Sequence, residues 1–183
     1  MISKLQLEDY DKVYEILENS FPITERRPYE KQVELLEEPL YQIYVMKDDE
    51  NDAVKGFIAV WDFDKVMFVE HFAVNPDYRN EGLGSVILQE LFQMIDKPVC
   101  LEVEPPDTEM AVRRIGFYER NGMFYNDYLY MQPALTEGCE EIPLRIMTSG
   151  RAVDEAGFHE IAGLLYQEVY HQEYFFDLQF AED

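Results

Sequence analysis

Arg79, Asn80, Glu81, Gly82, Leu83 and Gly84 follow an apolar run over residues 66–74 and precede a helix-like run over 85–95. Two glycines two apart let successive backbone N–H groups turn inward with no Cβ in the way. A helix beginning at Ser85 aims its partially positive end at the same spot. This spacing serves the binding of a phosphorylated ligand. A Gly-x-Gly pair arises by chance, so the flanking runs carry the discrimination. A nucleotide phosphate site fits less well, because no third glycine completes Gly-x-Gly-x-x-Gly and no Gly-Lys-Ser/Thr ending follows. Glycines serving turn geometry alone are the bland alternative.

Carboxylates supply the second chemistry. Period 2 over residues 66–74 puts Val66, Phe68, Glu70, Phe72 and Val74 on one face and Met67, Val69, His71 and Ala73 on the other. Glu70 interrupts an apolar row. An unpaired carboxylate there is costly unless it faces a cleft, which points to a general base; pairing with an arginine or a backbone group is the structural alternative. Glu102 and Glu104 share one face of a strand over 99–103, opposite Val99, Leu101 and Val103. They can bind a substrate ammonium, act as a second base, or face solvent or Arg113 and Arg114. His71 reads as a packed residue and Cys100 as a small apolar one. Trp61, Asp62, Tyr29, Tyr128 and Tyr130 are candidates for lining an acceptor site, although aromatic strand residues more often pack in the core.

The elements that position these residues follow from periodicity. A short strand over 1–5 leads to a helix with Asp9 as its N-cap and Tyr10, Val13, Ile16 and Leu17 on one face. A second helix spans 29–38. The period then changes from 3.6 to 2 over 41–47, 54–63 and 65–74, a meander with turns at 48–52 and 62–64. After the glycine loop come a helix, the strand 99–103, and a helix over 109–121 closed by Gly122. Strands over 124–131 and 142–147 and a final helix over 153–171 complete the pattern. Strand, loop, helix and strand make one crossover unit, so strands 65–74 and 99–103 should be parallel neighbours in an otherwise antiparallel sheet. The acidic, aromatic end over 174–183 reads as an arm or a disordered tail.

The 183 residues suffice for one domain with a sizeable core. Acidic residues number 38 against 15 basic, a formal charge of −23 that makes nucleic acid a poor partner and favours a neutral or cationic substrate. Arg79, Lys97, Arg113, Arg114 and Arg120 fall around the proposed phosphate site, which leaves room for a polyanion there. Two cysteines and three histidines, scattered along the chain, form neither a metal ligand set nor a disulfide framework. The N-terminus leads into acidic sequence, and no apolar stretch approaches the roughly 18 residues of a membrane span. A cytoplasmic protein without membrane or metal partners is expected.

The order of elements and the loop together resemble the GNAT superfamily of acetyl-CoA-dependent N-acetyltransferases. Its Arg/Gln-x-x-Gly-x-Gly/Ala signature after the fourth strand is matched by Arg79, Gly82 and Gly84, and its Tyr followed four residues later by Gly is matched by Tyr118 and Gly122. The chain departs from the family in a longer separation of Val103 from Tyr118, and in Ala111 where an Asn is common. The resemblance implies a mixed α/β sheet, mostly antiparallel, with a central parallel pair and flanking helices. Residues 1–150 would form the acetyltransferase domain and 151–183 a helical extension of it. Acetyl-CoA would lie on Phe72, Ala73, Val74, Arg79, Asn80, Glu81, Gly82, Leu83, Gly84 and Ser85, with a fourth-strand bulge near 72–74 freeing backbone groups for the thioester and pantetheine. Glu70 would be the base and Tyr118 the proton donor to the thiolate, with Glu102 and Glu104 binding the acceptor. The expected acceptor is a small-molecule or peptide amine, a cationic one suiting the charge, attacked directly in a ternary complex; a homodimer stays open. A catalytically silent acyl-CoA-binding or regulatory module is the alternative.

Overall fold

Aromatic and β-branched residues dominate the stretch from Tyr41 to Val74, and it forms the expected meander. In the computed structural model, which describes residues 1–175, β2 (Tyr41–Lys47), β3 (Val54–Asp62) and β4 (Met67–Val74) pair antiparallel in succession, after a two-residue β1 (Ser3–Lys4) on the outside of β2. β5 (Val99–Val103) lies parallel to β4, and β6 (Met123–Gln132) and β7 (Ile142–Ser149) follow, with β7 inserted between β5 and β6. The seven-stranded order is β1-β2-β3-β4-β5-β7-β6. Among the described residues, β4 and β5 are its one parallel pair, as the crossover pattern requires.

Helices cover both faces. α1 (Tyr10–Ser20), α2 (Tyr29–Glu34) and α5 (Glu155–Glu168) lie on one side, where Val13, Leu17, Phe158 and Leu165 pack with Phe57, Phe68 and Cys100. α3 (Leu83–Met94) and α4 (Glu109–Arg120) lie on the other, where Ile87, Leu91, Ile115 and Tyr118 pack with Ile58, Met67, Leu101 and Met147. β3, between the two layers, is buried along nearly its whole length. Asp9 precedes α1 as expected, but it caps nothing. Its carboxylate accepts from Lys12 and Lys47, both at 2.7 Å, and these charged donors outcompete the helix N–H groups. α5 begins instead on a working cap, Asp154, which accepts from the Gly157 N–H. No helix among the described residues is long and apolar enough to cross a membrane. Of the acidic aromatic end, only Tyr174 and Phe175 fall within the described residues.

Candidate active site

β4 and β5 pair through three residues only, Met67 with Val99, Phe68 with Cys100 and Val69 with Leu101, yet both strands run on. Beyond Val69 and Leu101 they diverge. A cleft of about 700 Å³ opens there, lined by residues 69–74 of β4, residues 101–104, the start of α3, and Phe117 and Tyr118 of α4. Among the described residues, the edge of β4 facing the cleft has no strand partner from Glu70 to Val74, which leaves backbone groups on that side for a ligand.

The glycine loop closes one end of the cleft. Gly82, at φ +77°, is the left-handed residue from which α3 starts, and a Cβ there would meet nothing within 4 Å. Among the described residues, the N–H groups from Asn80 to Gly84 find no acceptor. A run of free donors at a helix N-terminus beside open space fits the phosphates of a coenzyme. Gly84 needs its small size for another reason: a Cβ would lie 3.3 Å from Cζ of Phe117. Arg79 Nε donates to the Val74 carbonyl (3.3 Å), which pins the loop to the end of β4. Asn121 Nδ2 donates to Ser85 Oγ (3.1 Å), tying the end of α4 to the start of α3. Of the basic residues expected around this site, Arg79 and Arg114 line the cleft. Lys97 pairs with Asp62, and Arg113 with Glu109.

The bulge in β4 falls at Glu70 rather than near residues 72–74. Val60 pairs with Val69 and Ala59 with His71, leaving Glu70 as the extra residue. Simple alternation therefore fails from this point on. Phe72 and Val74 join the α3/α4 layer, while Ala73 stays with Phe68 on the α1/α5 side. His71, expected on the face opposite Glu70, lies beside it, with Nδ1 3.4 Å from Glu70 Oε2 and Nε2 donating to the Glu25 carbonyl at 2.8 Å. Glu70 has a stronger partner in Arg27, whose Nη1 lies 2.7 Å from Oε1. Burial pushes the Glu70 carboxyl up, but the Arg27 charge and the His71 contact outweigh it and hold it at about 2.

Glu102 has the opposite electrostatics. Burial and the nearby Glu70 charge raise it, hydroxyl contacts oppose them, and the result is about 7. Tyr170 donates to both carboxylate oxygens, at 2.9 and 2.8 Å. The Tyr130 hydroxyl points toward the same carboxylate without completing hydrogen-bond geometry. Glu104 turns to Arg114, 2.5 Å away, at the cleft wall. Tyr118 is buried against Phe117, and burial lifts its phenol to about 12. Cys100 is fully buried and its thiol is driven upward by burial first and the Glu102 charge second. Trp61, Asp62, Tyr29 and Tyr128 lie away from the cleft lining. Two residues that sequence reasoning passed over complete the arrangement, Arg27 and Tyr170. Arg27 falls between the two helices expected at the N-terminal end, and Tyr170 near the end of the last helical run, so neither carried a local signal.

The sequence profile of the acetyltransferase (GNAT) family matches residues 10–123. Residues of YjbC of Bacillus subtilis (strain 168), assigned as an acetyltransferase, are 35% identical over 109 positions, 58% of this chain and 54% of YjbC, so the chain spans about half the length of that relative. A second protein of that organism, assigned as a [ribosomal protein bS18]-alanine N-acetyltransferase, is 29% identical over 129 positions, 67% of this chain and 79% of its own. A solved structure from Bacteroides thetaiotaomicron, assigned to the GNAT family, superposes with a TM-score of 0.85 at 36% identity, over 93% of this chain and 98% of the other. With the profile covering more than half its length and the splayed parallel pair and glycine loop in place, this chain belongs to the GNAT family of acetyltransferases.

Proposed function

We propose that the protein moves an acetyl group from acetyl-CoA to a primary amine by direct attack in a ternary complex. The observation that carries this reading is the placement of Glu102 and Tyr118 on the walls of one cleft whose end is the glycine loop. Acetyl-CoA supplies the acyl group and a thiol leaving group. The loop donors and Arg79 hold its phosphates, and the unpaired edge of β4 orients the thioester.

An incoming ammonium must lose a proton before it can attack. Glu70 was the first expectation for this step. Its tight pairing with Arg27 and its low affinity for protons favour Glu102 instead, since a carboxylate titrating near neutrality both ionises and accepts a proton at working pH. Glu70 then acts at one remove, its negative charge helping to keep Glu102 poised. Tyr118, protonated at any physiological pH, donates to the sulfur as the carbon–sulfur bond breaks. Full transfer from a phenol near 12 to an ordinary thiolate near 8.5 is uphill by about 5 kcal/mol. A hydrogen bond that stabilises the departing charge is therefore its main contribution. The buried, protonated Cys100 thiol argues against a covalent route.

The acceptor end of the cleft carries Glu25, Glu70, Glu102 and Glu104. Burial, reinforced by Glu104, raises the Glu25 carboxyl. That concentration of carboxylates supports an ammonium-bearing acceptor, a small molecule or a peptide. One relative is named for N-acetylation of the bS18 alanine, an amine acceptor. The test is thiol release from acetyl-CoA across a panel of amines, amino acids and peptides, repeated with Glu102→Gln. Turnover lost in the variant supports the assignment. Acetyl-CoA binding without release on any acceptor would leave a silent acyl-CoA module.

A further inference from the structure

We infer that Tyr170 is a positioning residue for Glu102, delivered to the centre of the sheet by the turn that follows α5, so that the segment after residue 150 completes the active site. The inference rests on Glu102 as the base. Tyr170 lies outside the residues matched by the family profile. Its hydroxyl is shared between Oε1 and Oε2 at 2.9 and 2.8 Å, which holds the carboxylate of a residue that lines the cleft.

The end of α5 is built to present this group. Phe158, Ala162, Leu165 and Val169 are buried against the sheet. The Tyr166 hydroxyl donates to the Met131 carbonyl, and the Tyr166 ring meets Tyr130 and Tyr170 edge-on. The last turn widens: the Tyr170 N–H bonds to the Leu165 carbonyl, five residues back, at 3.1 Å. α5 has ended by Val169, and His171 takes φ +54° in the turn beyond it. Arg27 Nη2 reaches the Val169 carbonyl at 3.5 Å, so the guanidinium that neutralises Glu70 also grips the residue before Tyr170. One arginine thereby links the α1–α2 connection, the β4 bulge and the C-terminal turn.

The groups facing Glu102 are Glu70 on β4, Arg27 before α2, Cys100 on its own strand, Tyr130 on β6, Tyr166 on α5 and Tyr170 just after it. Among the described residues, only Tyr170 donates to it with full hydrogen-bond geometry. Donation to a carboxylate favours its charged form, so removing the donor must raise the pH at which Glu102 titrates.

The experiment is a carboxyl titration of the whole protein by infrared difference spectroscopy, with Glu102→Gln identifying the band. Wild type should titrate near neutrality, and Tyr170→Phe roughly one to two pH units higher, the size expected for one hydrogen bond to a charged group. Tyr170→Met, an unbranched filler without a hydroxyl, should give the same displacement if the phenylalanine variant folds poorly. A band unmoved in either folded variant overturns the positioning role. The base assignment fails separately, through wild-type turnover in Glu102→Gln, a quantity the titration does not measure.

Discussion

Arg27 Nη1 lies 2.7 Å from Glu70 Oε1, with the two side chains only 10% and 2% exposed. A charge pair this dry is held together by mutual need. Each ion alone would bear most of the cost of leaving water. Arg27→Met or Glu70→Gln should therefore each destabilise the fold by roughly 3–5 kcal/mol, while the double variant recovers part of the loss. Equilibrium denaturation of the three proteins measures this, and strictly additive losses would contradict a coupled pair.

The same pair dictates an acid dependence. The Glu70 carboxyl is depressed from 4.5 to about 2, so its contribution to stability is complete above the unfolded value and is lost as pH falls through the window between them. Wild-type stability should drop steeply from pH 5 to pH 2, and Glu70→Gln should show a shallower fall over that range. Denaturant midpoints at pH 5, 4 and 3 for the two proteins test the difference.

Much of this architecture was legible beforehand, for reasons that can be named. β2 and β5 ran where the period placed them, and the parallel pairing of β4 with β5 followed from the crossover. The loop's glycines advertised themselves through residue type. What stayed hidden was everything that depends on register or on long-range closure. A single extra residue at position 70 reversed which face Phe72, Ala73 and Val74 occupy, and no sequence period records an insertion that the partner strand alone defines. The approach of Glu70 to Glu102 needed the parallel register, and Tyr170 meets Glu102 across 68 positions of sequence. Arg27 carried no signal in the sequence because burial of an arginine is decided by its partner.

Kinetics should separate the two carboxylates. Glu102→Gln should lower turnover by roughly 10²–10⁴, the range for one general catalyst, with acetyl-CoA affinity intact. The acidic limb of the wild-type profile should lie near pH 7, the value at which Glu102 loses its proton, and vanish in that variant. Glu70→Gln should keep a limb and move it downward, because the like charge that raises Glu102 is gone. A Glu70→Gln profile lacking the limb would return the base to Glu70.

At the loop, Gly84→Val should abolish acetyl-CoA binding, since the new side chain must displace the Phe117 ring that a Cβ already approaches to 3.3 Å. Gly82→Val faces open space instead, and its cost comes from holding φ +77°, about 1–2 kcal/mol of backbone strain for a residue bearing a Cβ. Both should leave the far-ultraviolet circular dichroism spectrum close to wild type. Calorimetry showing undiminished affinity in both would remove the coenzyme from this loop.

Tyr118 is a sharper case because its chemistry and its packing can be pulled apart. The ring is buried against Phe117 and the α3/α4 core, while the hydroxyl makes no hydrogen bond among the described residues. Tyr118→Phe keeps the ring and removes the donor, so thermal stability should barely change. Acetyl-CoA affinity should also hold, because the ground-state thioester sulfur is a weak acceptor and the interaction gains strength only as negative charge builds on it. Turnover should fall roughly 10- to 100-fold, corresponding to about 1.4–2.7 kcal/mol of stabilisation present only at bond breaking. An acetyl thioester with a more acidic thiol should be affected less by the substitution, since its leaving group needs less help. Equal losses with both thioesters would mean that Tyr118 serves the fold and not the leaving sulfur.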